Sequence, residues 1–130
     1  MSVRSRDVAI AVGLDVVATL VFVLIGRGTH NADPTLVGLA AAWWPFLAAL
    51  ALGWVVTLAW RRPFGPVWPG LGLWLITVAG GMLFRTLSGQ GTALAFVIVA
   101  TLSLGILLTG WRGIAVLIRR RSSLTHAPSA

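Results

Sequence analysis

Four long apolar runs joined by short polar links leave this chain few folds to choose from. The first run is Val8 to Gly26, and the second, Leu36 to Trp60, carries no charge. The third extends from about Trp68 or Gly70 to Phe84, and the fourth from Ala93 to about Trp111. About nineteen helical residues at 1.5 Å each cover about 28 Å, close to the roughly 30 Å hydrocarbon core of a bilayer. Hydrophobic residues fill 58% of the 130 positions and the mean hydropathy is +0.93, whereas a soluble domain of this size needs far more polar surface around its core. The sequence therefore predicts an all-α integral membrane protein. Residues 1–121 form a single domain, with transmembrane helices over about 8–26, 36–60, 69–87 and 93–111, and residues 122–130 are expected to be a disordered cytoplasmic tail. Short links favour antiparallel neighbours, so the expected arrangement is an up-down four-helix bundle.

Charge sets the expected orientation. Every cation is an arginine, there are three aspartates and no glutamate, and the net charge is +7. With the N-terminus in the cytoplasm, the inner side carries Arg4, Arg6, Arg61, Arg62, Arg112, Arg119, Arg120 and Arg121, against Arg27 and Arg85 outside. That bias predicts both termini inside, with the inner arginines facing anionic lipid headgroups. Because the arginines sit at the ends of apolar runs rather than in one basic patch, no nucleic-acid partner is expected. Arg4 and Arg6 resemble the start of a signal peptide, but the run that follows ends in Phe22-Val23-Leu24-Ile25-Gly26-Arg27, without a small-residue cleavage site. It reads as a retained first helix.

Asp15 interrupts that helix. A carboxylate inside a span costs roughly 3 kcal/mol on insertion scales, so it needs a partner, a proton or a task. Spacings of three and four gather Ala11, Ala18, Thr19, Phe22 and Gly26 around it, a stripe of small and slightly polar residues. Comparable stripes are Trp74, Thr77, Gly81, Arg85 and Ser88 on the third helix and Thr101, Gly105, Thr109 and Arg112 on the fourth. Arg112 is the first candidate partner of Asp15; the alternative is a protonated Asp15 bonded to a neighbour such as Thr109. Asp15, Thr19, Thr109 and Arg112 thus form a candidate intramembrane polar site. It is either a structural clamp or a proton or cation relay.

On the outer side Arg27, His30, Asp33 and Arg85 form a second candidate cluster, in which the arginines suit an anion or a headgroup phosphate; the alternative is a solvated loop with interfacial arginines. One histidine and one aspartate are too few for a metal site. With no cysteine in the chain, thiol chemistry and disulfides are excluded. Trp60, Trp68 and Trp111 fall at expected interfaces, where indoles normally sit, while Trp43, Trp44, Trp54 and Trp74 lie deeper. Pro45, directly after Trp43-Trp44, predicts a kink in the second helix, which either opens a pocket for an apolar ligand or serves as a packing device. Helices one and three both end in arginine (Gly26-Arg27, Phe84-Arg85), and helices two and four share a phenylalanine (Phe46, Phe96) and a closing Trp-Arg. That is either a weak internal repeat or the ordinary recurrence of interfacial residues.

Taken together, Asp15, Phe22, Gly26-Arg27, His30, Pro45-Phe46, Gly53-Trp54, Gly72, Trp74, Thr77, Gly81, Leu83, Arg85, Ala95-Phe96, Val99-Ala100 and Gly110-Trp111-Arg112 resemble the small actinobacterial membrane family catalogued as DUF3054. The resemblance implies a four-helix protein of the bacterial inner (plasma) membrane and lends no activity.

Two function classes remain open. One is a small proton- or cation-coupled carrier or channel with Asp15 in the pathway, acting as a homo-oligomer or with a membrane-protein partner. The other is a non-catalytic membrane module that binds lipid, a pigment or a larger partner. No nucleophile and base pair, metal cluster or nucleotide loop is present, so neither an enzyme nor a cofactor is expected.

Overall fold

The computed structural model describes residues 3–29 and 35–125, and these are helical apart from the connections. The helices are α1 (Val3–Thr29), α2 (Leu36–Thr57), α3 (Gly70–Leu87) and α4 (Leu94–Thr125). All four are long and apolar enough to cross a membrane. α1 packs against α2 and α4, and α3 against the same two, so α1 and α3 lie across the bundle from each other. The expected four-helix architecture is present. Asp7 near the start of α1 meets Arg119 late in α4, and the α2–α3 loop meets Arg112. These contacts define a terminal end of the bundle. Arg27, Gly38, Arg85 and Phe96 mark the opposite, hairpin end.

Both ends of α1 and the C-terminal ends of α2 and α4 differ from the sequence expectation by three residues or more. α2 stops at Thr57 because Leu58 turns left-handed (φ 54°, ψ 45°) and a single 3-10 turn, Ala59–Arg61, follows. Such a conformation costs a non-glycine residue about 1–2 kcal/mol, here opposed by a hydrogen bond from the Leu58 N–H back to the Val55 carbonyl. α1 starts earlier, at Val3, and α4 runs on to Thr125, which corrects the expectation of an irregular tail from Ser122. The extensions support each other: Asp7 and Arg119 pair at 3.1 Å, and the Arg119 guanidinium lies 4.1 Å from the centre of the Phe64 ring. Residues 126–130 of the expected tail lie outside the described residues.

The buried face of α1 is Ala11, Asp15, Ala18, Thr19, Phe22 and Val23, which is the stripe that helical spacing gathers around Asp15 except that Val23 joins it and Gly26 is only half-buried. On α4 the buried line is Ala100, Leu104, Leu108 and Arg112 instead of Thr101, Gly105 and Thr109. The reason is Trp74, whose indole lies beside Gly105 and donates to the Thr101 carbonyl at 2.7 Å. α2 and α3 approach closely where small residues face each other, Ala49 against Gly80, while Phe46 fills the space over Gly81.

Candidate functional site

The two fully buried charges, Asp15 and Arg112, meet in one place. Asp15, fully buried, receives Arg112 Nη1 on Oδ1 (2.7 Å) and Arg112 Nη2 on Oδ2 (2.6 Å). Two indoles complete the shell: Trp111 Nε1 donates to Oδ1 at 2.8 Å and Trp54 Nε1 to Oδ2 at 2.9 Å. A carboxylate has about four acceptor positions, and all are occupied. Arg112, also fully buried, donates Nε to the Pro63 carbonyl (3.0 Å) and Nη1 to the Leu108 carbonyl (2.8 Å). Its guanidinium stacks 4.4 Å from the Trp111 ring. The hub thereby ties α1, α2, α4 and the 61–69 loop together. Gly65 shapes that loop, since a Cβ there would lie 2.0 Å from the Trp68 carbonyl oxygen.

Two members of the expected intramembrane site do not join the hub. Thr109 bonds the Gly105 carbonyl of its own helix, and Thr19 donates to the Val16 carbonyl (2.7 Å) while accepting Trp43 Nε1 (2.9 Å). Threonine hydroxyls in helices commonly bond back one turn, and that removes Thr109 as an alternative partner. Arg112 is not an end-of-helix charge, so it drops out of the loop-charge comparison. Trp111 likewise lies inside α4 rather than at its end. Sequence reasoning missed Trp54 and Trp111, although an indole N–H inside a span needs an acceptor and Asp15 is the strongest one available there.

At the hairpin end a pocket of about 330 Å³ opens on the bundle axis, lined from all four helices. Its floor is a cluster of three rings: Phe22 and Phe46 edge to face at 5.1 Å, with Phe96 6.0 Å from Phe22 and 6.3 Å from Phe46. Arg27, Arg85 and Gln90 also line it. Arg27 Nη1 donates to the Gly38 carbonyl at 3.0 Å. Arg85 gives Nε (3.0 Å) and Nη2 (2.7 Å) to the Gly91 carbonyl and Nη1 to Gln90 Oε1 (3.0 Å), and lies over Phe96 at 4.3 Å. Gln90 Nε2 then donates to the Ala41 carbonyl at 3.0 Å. That carbonyl is the one left without a helical N–H by Pro45, four residues on. Of the expected outer cluster, Arg27 and Arg85 share this pocket; His30 and Asp33 lie outside the described residues. Both members of two matched sequence pairs, Arg27 with Arg85 and Phe46 with Phe96, line it.

A family pattern matches residues 12–115, a span that includes the whole hub and every residue of the pocket but leaves out Asp7 and Arg119. The chain belongs to the DUF3054 family, proteins of unknown function. No curated protein and no solved structure matches it. This DUF3054 chain shows no group of three or more potential metal-ligating side chains among the described residues.

Proposed function

We propose that this DUF3054 protein is a non-catalytic, multi-pass membrane module that binds a small ligand in the hairpin-end pocket, with the Asp15–Arg112 pair as the clamp that sets the helices around it. The observation that carries this reading is the pocket itself: concave, mostly apolar, reached from all four helices and provided with a few convergent polar groups. The hub supports it from the other side. With four donors on its two oxygens, Asp15 has no vacant position for a proton or cation. A carrier in which Asp15 takes up an ion is the second reading, favoured by the presence of an ionisable pair inside the span. It requires Arg112 to release Asp15 in each cycle, and separating a buried pair costs about 3–5 kcal/mol.

The arginine bias supports a plasma-membrane protein with the terminal end in the cytoplasm. There Arg62, Arg119 and Arg120 border an open groove with Phe64 and Pro66, suited to anionic headgroups. Native mass spectrometry from a mild detergent, paired with proton flux in liposomes, tests the proposal. A discrete retained mass and no Asp15-dependent flux are expected, and the spectrum also reads whether the chain forms a homo-oligomer. Wild-type flux abolished in a folded Asp15→Asn protein would overturn the module reading in favour of the carrier.

A further inference from the structure

Resting on the ligand-binding reading of the pocket, we infer that its ligand is an anionic amphiphile: a phosphate-class head held between Arg27 and Arg85, with a hydrocarbon chain on the Phe22–Phe46–Phe96 rings.

Charge makes the first part of the argument. The described carboxylates, Asp7 and Asp15, are both engaged towards the terminal end, with Arg119 and Arg112. The two guanidiniums at the hairpin end therefore face no described carboxylate, and a low-dielectric pocket with two cations at its mouth favours an anion. Donor capacity makes the second. A guanidinium has five N–H groups, and the three bonds from Arg85 to Gly91 and Gln90 leave one on Nη1 and one on Nη2. Those bonds, with the ring of Phe96 beneath, hold the fork in place before any ligand arrives, so little side-chain ordering is left to oppose binding.

Shape makes the third. Arg27 and Arg85 come from α1 and α3, across the bundle from each other, so an acceptor must present oxygens in more than one direction. A tetrahedral phosphate does so, whereas the two oxygens of a carboxylate lie in one plane. The pocket, about 330 Å³, is at the small end of the ~300–1,000 Å³ typical of ligand sites. It accommodates a head and the first carbons of a chain. The rest of the chain then leaves through the open side, into lipid if the bundle spans a bilayer.

The test uses the full-length protein in a maltoside detergent, titrated with dodecyl phosphate and followed by thermal shift and native mass spectrometry. A one-to-one adduct and a raised Tm are expected. A neutral monoacylglycerol, which lacks the charge-assisted hydrogen bonds, and inorganic phosphate, which lacks the chain on the rings, should each bind at least tenfold more weakly. Arg27→Gln and Arg85→Gln should each weaken dodecyl phosphate about tenfold or more. Gly26→Leu provides a variant that keeps both arginines, because a Cβ at Gly26 meets nothing within 4 Å and the added side chain can occupy the pocket. It should abolish binding while leaving the Tm of the ligand-free protein near wild type.

A second arm offers phosphatidic acid in lipid nanodiscs: retention there identifies a bilayer phospholipid as the source, and retention of the single-chain phosphate alone identifies a free amphiphile. Equal binding of the neutral amphiphile, lost in Gly26→Leu, would overturn the anion assignment and leave the ligand-binding reading standing. Binding unaffected by Gly26→Leu, or no binding of any amphiphile, would overturn both.

Discussion

Gln90 closes the gap that Pro45 opens in α2, by donating its side-chain amide to Ala41 across the hairpin end of the bundle at 3.0 Å. The same amide group accepts Arg85 on its oxygen, so a defect in one helix fixes the position of a cation on another. Gln90→Ala removes the bond to Ala41 and those with Arg85 and Ser88, and should therefore lower stability by about 1–3 kcal/mol. In a Pro45→Ala background the residue at 45 regains its N–H and α2 can satisfy Ala41 by itself. The cost of Gln90→Ala should then fall by about 1 kcal/mol, the usual net value of one hydrogen bond, read as a coupling energy from thermal melts of the four proteins. Strictly additive effects would mean that Gln90 does not act through the Ala41 carbonyl.

The hub gives a larger effect with a defined asymmetry. Asp15→Asn or Arg112→Met leaves its partner's charge buried without a counter-ion, and each change should cost about 3–5 kcal/mol. Changing both, Asp15→Asn with Arg112→Met, should cost clearly less than the sum, because no net charge then remains in the dry core. Thermal unfolding in detergent, followed by near-UV circular dichroism, checks this. If Asp15→Asn is silent, the clamp assignment fails.

The indoles separate the packing and the polar contributions of the same hub. Trp54→Phe and Trp111→Phe keep an aromatic ring but remove the N–H that reaches Asp15 together with part of the indole's packing volume. Hydrogen bonds to a charged group are worth about 1.5–3 kcal/mol, and each substitution should lose an amount in that range. In an Asp15→Leu background both losses should shrink to the packing share, since the acceptor is gone. Losses undiminished there would assign the tryptophans to packing alone.

How far the sequence disclosed this depends on whether a feature is local. The apolar runs, the loop prolines and the position of Asp15 on the buried stripe of α1 follow from periodicity along single helices, so they could be read directly. Arg112 could be nominated as the partner of Asp15 because the two matched in depth and the bundle topology was already implied. Which face of α4 turns inward could not be read: several stripes of similar polarity compete, and Trp74 decides the matter by fitting against Gly105. The indole donors were hidden by a general rule that reads tryptophan near the end of an apolar run as interfacial, which left no reason to look for an acceptor for Trp111, whose N–H is bound to Asp15 in the interior of α4. Gln90 was invisible for another reason. Its role depends on a carbonyl exposed by a proline on a different helix, and no window of sequence joins the two.

Glycines provide the last prediction, because the structure divides them into two kinds. At Gly81 an added Cβ would lie 2.6 Å from the Phe46 ring, whereas at Gly110 and Gly113 it would meet nothing within 4 Å. Gly81→Ala must displace Phe46, which touches both other rings of the pocket floor, and overpacking of this kind costs about 1–3 kcal/mol. Gly110→Ala and Gly113→Ala should be neutral or stabilising by up to about 1 kcal/mol, as removal of an unconstrained helical glycine allows. Because Phe46 lies between the α2–α3 contact and the pocket, Gly81→Ala should also weaken whatever ligand the pocket holds, and the two control substitutions should not. The comparison needs only melting curves with and without dodecyl phosphate for three variants. A Gly81→Ala protein with wild-type stability and an undiminished ligand shift would show that the Phe46 ring has another place to go, and would detach the pocket from α3 packing.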